Sequence, residues 1–251
     1  SDCFDRTRRG LLGQTTSTPQ AQLAAMDQDG IDVMVIFPSA GLSIGFVREE
    51  EYAAAYARAY NRWMHDFCAA NPDRLKFVAL LAPRLVDEAA IELRYAVEEL
   101  GAVGGMLPTH VPLRPDWGHR QWDPIYAEAE RLDVGIAFHA SMGETVGYQR
   151  FDKFINVHAL GHPVEQMMAL CATVIGGVFE RFPRLRTAHL ESGVGWVPYL
   201  MDRLDEEFEL RGEDEAPQLT KRPSEYITGG QIFFGVECGE KTLPHAVDWA
   251  L

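Results

Sequence analysis

Six short apolar runs alternate with longer amphipathic segments, and this alternation restricts the fold more than any other feature of the sequence. Short, largely apolar runs are typical of strands that are buried on both faces of a parallel sheet. They span residues 32–37, 76–81, 103–107, 134–139, 185–191 and 232–237. Strand-then-helix units in strict order predict an α/β fold with right-handed crossovers between parallel strands.

The segments between the strands are predicted to be helices because their apolar residues recur at spacings of three and four. Tyr52, Tyr56 and Tyr60, for example, follow one another at intervals of four. The predicted helices span residues 49–70, 86–100, 123–132, 163–182, 195–211 and 243–251.

Two architectures have this pattern, an open doubly wound sheet and a closed (β/α)8 barrel. An open dinucleotide-binding sheet carries a G-x-G-x-x-G turn after its first strand, whereas residues 37–41 read Phe-Pro-Ser-Ala-Gly. The sequence therefore favours the (β/α)8 TIM-type barrel. Six strands are two fewer than a closed barrel needs. We expect residues 1–251 to be a single barrel domain that lacks its first and last strands, as an internal piece of a longer chain. A complete six-stranded domain is the alternative.

Composition limits the partners of the protein. The chain has 37 acidic and 23 basic residues and a net charge of −14, so no basic face is available to bind nucleic acid. No apolar stretch approaches the roughly 18–20 residues of a membrane span. The four cysteines are far apart, and no signal peptide is visible, which predicts reduced thiols and a cytoplasmic protein. A small-molecule substrate is the expected partner.

Active sites of such barrels lie at the carboxyl ends of the strands. In the strand 134–139, the large residues Val134, Ile136 and Phe138 alternate with small ones and with His139. If the small residues face the barrel interior, His139 points into its mouth, where a neutral imidazole suits a divalent metal ion. A hydrogen-bonded core histidine is the alternative.

The next two strands also end in ionisable residues. Period-two alternation places His189 and Glu191 on one face, and we predict that both face inward as catalytic residues, a proton donor and its carboxylate partner or base. A structural pair on the helix-covered side is the alternative. Glu237 ends the sixth strand and is a candidate substrate-binding carboxylate, although an exposed or Arg-paired glutamate is equally compatible with the pattern.

The long loop predicted at residues 140–161 is a candidate substrate lid. His158 and His162, at its end, are predicted to contact substrate. Their i, i+4 spacing would form a two-histidine face only on a helix, and Gly161 and Pro163 argue against a helix there.

Several segments carry a family resemblance. They are residues 26–32, 135–139 (Gly-Ile-Ala-Phe-His), 161–167 (Gly-His-Pro-Val-Glu-Gln-Met), 176–183, 189–196 (His-Leu-Glu-Ser-Gly-Val-Gly-Trp) and 203–206. In this order, they resemble the amidohydrolase superfamily, and within it the branch of aminocarboxymuconate-semialdehyde and resorcylate-type decarboxylases.

The resemblance implies a (β/α)8 barrel with one divalent metal ion at its mouth, zinc as the first choice and manganese as the alternative. It makes His139 a metal ligand and implies that the other ligands lie outside residues 1–251. Ser192 stands where the decarboxylases carry a histidine, with His189 three residues earlier, so Ser192 is a candidate substrate-binding residue. Family members are often homodimers.

Together these features predict a metal-dependent hydrolase or carboxy-lyase that acts on a small carboxylic acid or phenolic compound. The same metal site serves either reaction, so the sequence does not separate them. A non-catalytic barrel that has lost a working site is the alternative.

Overall fold

Parallel pairing joins all strands in the computed structural model, which describes residues 18–39, 41–140 and 150–250. The strands are β1 (Met34–Ile36), β2 (Leu75–Phe77), β3 (Ala79–Leu80), β4 (Gly104–Pro108), β5 (Gly135–His139), β6 (Arg186–Leu190) and β7 (Ile232–Phe234). Only Val78 separates β2 from β3, and its N–H donates to the carbonyl of Ile36 at 3.0 Å. These two strands are therefore the halves of one predicted strand, and all six predicted strands are confirmed.

Strand order distinguishes the two candidate architectures. The strands pair as β1–β2 and as β3–β4–β5–β6–β7, always in the order of the sequence. An open doubly wound sheet reverses its strand order at a switch point, and none of the described strands does so. The fold is therefore of the (β/α)8 barrel class, as predicted.

Helices alternate with the strands along the chain. They are α1 (Pro19–Asp29), α2 (Glu50–Cys68), α3 (Val86–Glu98), α4 (Asp123–Leu132), α5 (Phe154–Ile175), α6 (Val178–Arg181), α7 (Val197–Glu215), α8 (Pro223–Ile227) and α9 (Leu243–Ala250). The sequence predicts five of these within a few residues of their observed bounds.

Helix α5 differs from its prediction. It begins at Phe154, nine residues before the predicted start, and contains Pro163 in its interior. Proline removes one backbone donor there, but Val157 and Gly161 are buried on the same segment. Tertiary packing outweighs the local signals of Gly161 and Pro163.

The register of β5 and β6 decides which side chains face the helices. Ile136 and Phe138 belong to a buried cluster with residues of α3 and α4, so Ala137 and His139 face the opposite side, the barrel interior. Paired residues of neighbouring parallel strands share a face, and His189 pairs with Phe138. The inward orientation of His139 is therefore confirmed, whereas His189 lies on the helix-covered side.

Two further sequence predictions concern the thiols and the membrane. Cys68 and Cys171 are free thiols, and burial raises the pKa of each to about 11. Cys238, in contrast, is disulfide-bonded, so the prediction of reduced thiols is wrong for this residue. Among the described residues, none of the helices combines the length and the apolar character of a membrane span.

Candidate active site

The candidate site lies at the carboxyl ends of β4, β5 and β6, under one face of α5. That helix contributes His158, His162, Glu165 and Gln166. Spacings of three and four place these side chains on one face of the helix. The strand ends contribute His110, His139 and Glu191, which lie at or just beyond the last residue of their strands.

His139 has a fixed tautomer. Its Nδ1 lies 2.7 Å from the carbonyl oxygen of Ala140, and because a carbonyl only accepts, Nδ1 carries the proton. The Nε2 lone pair is therefore free to bind a cation, and the carbonyl holds the ring in place as in many metal-binding histidines. The ring is buried but faces Glu191 rather than apolar neighbours.

Glu191 brings a carboxylate to this nitrogen. Its Oε2 lies 3.4 Å from Nε2 of His139 and 3.7 Å from Nε2 of His162. Glu191 has a φ of 56°, a left-handed conformation that ends the strand and breaks its period-two alternation. The prediction that Glu191 shares a face with His189 is therefore wrong, because alternation does not extend past Leu190.

His189 does not reach the site. Its side chain is fully buried between the rings of Phe138 and Phe234, at centroid distances of 5.4 and 5.7 Å. Burial lowers the pKa of His189 to about 3. The predicted inward orientation of His189 is therefore wrong, and its role as a proton donor stays a prediction.

Gln166 connects this buried histidine to both strand ends. Its Nε2 donates to the carbonyls of Phe138 and Leu190 at 2.7 and 2.9 Å. Its Oε1 therefore accepts from Nδ1 of His189, at 2.9 Å. Phe138 and Leu190 directly precede His139 and Glu191, so Gln166 fixes the separation of these two residues. Gln166 was not predicted as a site residue, although it lies in the segment 161–167 that carries the family resemblance.

His158 and His162 are helical, contrary to prediction. Their ring centroids are 4.8 Å apart on successive turns of α5. His158 is exposed, whereas His162 is half-buried. Burial and the neighbouring imidazoles lower the pKa of His162, although Glu191 acts in the opposite direction. His162 thus faces the site, and His158 lies at its rim.

A second carboxylate–imidazole contact lies at the end of β4. Glu165 is 2% exposed, and its Oε2 lies 3.2 Å from Nδ1 of His110 and 3.3 Å from the hydroxyl of Thr109, which donates to it. Glu165 lies in the segment 161–167 that carries the family resemblance, but it was not predicted as a site residue. Its signal is a charge on the face of α5 that is otherwise buried.

Ser192 and Glu237 have other contacts. The hydroxyl of half-buried Ser192 donates to the carbonyl of Gly193 at 3.4 Å. Glu237 is exposed after β7, where its N–H donates to Glu240 at 3.4 Å. Their roles in substrate binding stay predictions, as does that of His158.

The described residues hold only part of a metal site. Within residues 18–39, 41–140 and 150–250, no group of three or more His, Cys, Asp or Glu side chains is arranged to hold a metal ion. His139, His162 and Glu191 are therefore a partial set of donors.

The fold and this pocket define a parallel (β/α) barrel protein with histidines and carboxylates at the strand ends, where such barrels carry their active sites. Sequence comparison assigns the family: the chain belongs to the amidohydrolase family, whose sequence model matches residues 13–251.

Two of the curated relatives show the similarity. The chain is 25% identical to 2-amino-3-carboxymuconate-6-semialdehyde decarboxylase of Dictyostelium discoideum over 83% of its own length. It is 27% identical to gamma-resorcylate decarboxylase of Rhodococcus jostii strain RHA1 over 96% of its length. It spans 57% of the first relative and 75% of the second.

Two solved structures have the same fold. The 5-carboxyvanillate decarboxylase of Sphingomonas paucimobilis superposes with a TM-score of 0.81 at 22% identity, over 97% of this chain and 72% of that one. The dihydroxybenzoic acid decarboxylase of Polaromonas sp. JS666, solved with manganese and the inhibitor 2-nitroresorcinol, has a TM-score of 0.75 at 20% identity, over 91% of this chain and 67% of that one.

Proposed function

We propose that the protein is a metal-dependent carboxy-lyase that decarboxylates a small phenolic or muconate-type carboxylic acid. The observation that carries this proposal is the approach of Glu191 Oε2 to His139 Nε2, at 3.4 Å, with a second imidazole 3.7 Å from the same oxygen. The names of the relatives support the reaction class, since all four are decarboxylases of carboxylic acids.

The donor set fits a divalent cation. In the neutral ring of His139, Nε2 is an acceptor because Nδ1 carries the proton, and a carboxylate is also an acceptor. At 3.4 Å, the lone pair of His139 Nε2 and the Glu191 carboxylate repel each other unless a proton or a metal ion lies near both. Imidazole and carboxylate are ligands that zinc and manganese accept.

Each residue then has a defined task. His139 is a metal ligand through Nε2, and the Ala140 carbonyl holds its ring. Glu191 and His162 border the same point, where they belong to the same partial set of metal donors and orient the substrate. A bound divalent ion supplies positive charge that polarises a substrate oxygen or lowers the pKa of water. Manganese is our first choice because the Polaromonas protein contains it, and zinc is the alternative.

The test measures metal content and carbon dioxide release. The protein, loaded with Mn²⁺ or Zn²⁺, is incubated with gamma-resorcylate, 5-carboxyvanillate and 2-amino-3-carboxymuconate 6-semialdehyde. We expect a bound divalent ion and release of carbon dioxide from at least one acid. A metal-loaded protein that releases none from all three contradicts the proposal.

A hydrolase is the second candidate, and the position of Glu191 favours it. A carboxylate beside a metal-ligand histidine is well placed to accept a proton from water. Release of carbon dioxide supports the lyase. Hydrolysis of a phenolic ester or amide without decarboxylation supports the hydrolase. A barrel that binds no metal and performs neither reaction is the non-catalytic alternative.

We also propose that residues 1–251 belong to one barrel domain of a homodimer. Sedimentation velocity tests the oligomeric state, and a monomer at micromolar concentration contradicts it.

A further inference from the structure

We propose that His110, held by the buried carboxylate of Glu165, is the general acid of the decarboxylation. This inference rests on the proposed function and names the group that supplies the proton. It assigns to His110 the task that the sequence analysis gave to His189.

The first argument is the pair itself. Glu165 is 2% exposed, whereas the His110 side chain is 35% exposed. A buried carboxylate that accepts from Nδ1 fixes the orientation of an imidazole and compensates its positive charge when the ring is protonated, the arrangement of catalytic carboxylate–histidine pairs. Because Nδ1 faces Glu165, Nε2 is the ring nitrogen left to exchange a proton with a substrate.

The second argument is location. Pro108, two residues before His110, pairs with His139 across neighbouring strands. On α5, Glu165 lies three residues after His162, so the two side chains are neighbours on one helix face. His162 contacts Glu191, and Glu165 contacts His110. The imidazole of His110 and the proposed metal ligand therefore lie at the same end of neighbouring strands, on the side that α5 covers.

The third argument is the surroundings of His110. The ring of Phe46 packs edge-on against it at a centroid distance of 5.2 Å. Glu165 is the charged group that contacts it from α5. Arg84 reaches the same loop, where its guanidinium donates to the carbonyls of Gly45 and Pro112, and Arg114 on that loop pairs with Glu50. Among the described residues, the charged group in contact with the His110 ring is therefore the carboxylate of Glu165, which stabilises a protonated imidazole.

The chemical step balances with solvent as the source of the proton. Protonated His110 donates the Nε2 proton to the ring carbon that carries the carboxylate, and a C–H bond forms. The bond from that carbon to the carboxylate carbon then breaks, its electron pair returns to the ring, and carbon dioxide leaves. Neutral His110 regains a proton from water. The net reaction consumes one carboxylate and one proton and yields the arene and carbon dioxide.

The experiment compares three variants with the wild type, each loaded with Mn²⁺. His110→Gln keeps a side-chain donor that reaches Glu165 but cannot transfer a proton, and we expect kcat to fall about 100-fold or more with unchanged Mn²⁺ affinity. Glu165→Gln keeps the shape but removes the charge, and we expect a smaller loss of kcat with a displaced limb in the pH profile. His119→Gln is the matched control, because His119 is exposed in the same β4–α4 connection and caps the N–H of Gln121; its kcat should equal that of the wild type.

The outcomes separate this inference from the proposed function. A wild type that releases carbon dioxide together with a His110→Gln variant of equal kcat and equal pH profile overturns the role of His110 alone. A wild type that releases none from the three acids overturns both. Loss of kcat in His110→Gln with retained KM, Mn²⁺ affinity and unfolding midpoint supports the assignment, whereas parallel loss of Mn²⁺ affinity overturns it in favour of a structural role.

Discussion

Replacement of Gln166 by methionine tests whether this side chain positions the two site residues that follow β5 and β6. The variant has a similar volume but makes none of the three hydrogen bonds of the amide. It removes a donor from the carbonyls of Phe138 and Leu190, and it leaves the Nδ1–H of His189 without an acceptor. A buried polar group without a partner costs about 1–3 kcal/mol.

Two of the three groups that lose a hydrogen bond are carbonyl oxygens, which have a second lone pair for another donor. The loss of stability is therefore expected to be smaller than three times the cost of one unpaired group. We predict a loss of about 3–5 kcal/mol in the free energy of unfolding. Urea denaturation measures it, with an unchanged m-value as the sign that the variant has the same fold. Isothermal titration with Mn²⁺ on the folded variant should also show weaker binding, because His139 and Glu191 lose their fixed separation.

Gln231 provides a matched control at the opposite end of β6. Its amide also donates to two carbonyls, those of Phe182 and Leu185, at 3.2 and 3.1 Å, but it is half-buried and remote from the site. Gln231→Met should cost about 1–2 kcal/mol and leave Mn²⁺ affinity unchanged. Equal effects of both substitutions on Mn²⁺ affinity would refute a positioning role for Gln166.

Three further outcomes are expected. Burial lowers the pKa of His189 from 6.5 to about 3, so between these pH values the unfolded chain is protonated at His189 and the folded protein is not. The free energy of unfolding is therefore unaffected by His189 above pH 6.5 and decreases as the pH falls from 6.5 toward 3. Between pH 7 and pH 4.5, the free energy of unfolding should fall by about 2–3 kcal/mol less in His189→Gln than in the wild type. Identical curves of unfolding free energy against pH would exclude a contribution from His189. Glu191→Gln should weaken Mn²⁺ binding about tenfold without altering the unfolding midpoint, since its side chain is 61% exposed, whereas the exposed control Glu213→Gln should change neither. His162→Asn should also weaken Mn²⁺ binding, and a titration curve identical to that of the wild type would place His162 outside the metal pocket.

The strands were predictable because each is a run of apolar residues that both faces of a parallel sheet require. The orientation of His139 was predictable for the same reason, since small and large residues alternate along β5. Helix α5 was placed too late because Gly161 and Pro163 are local signals, while the burial that keeps the helix intact depends on distant residues.

The errors at the site have different physical origins. For Glu191, the interpretation extended strand alternation one residue past the end of β6, where the left-handed backbone breaks it. For His189, the face is fixed by its pairing with Phe138 of the neighbouring strand, and this pairing is not visible in the local sequence. Glu165 and Gln166 were not selected because polar residues on an amphipathic helix are usually solvated.

Binding of Mn²⁺ to the wild type and to a His139→Asn variant tests the central claim most directly. The wild type should bind a divalent ion, and the variant should bind it at least tenfold more weakly while its unfolding midpoint stays close to that of the wild type. Equal affinities in the two proteins, or no binding by the wild type, would contradict the assignment of His139 as a metal ligand.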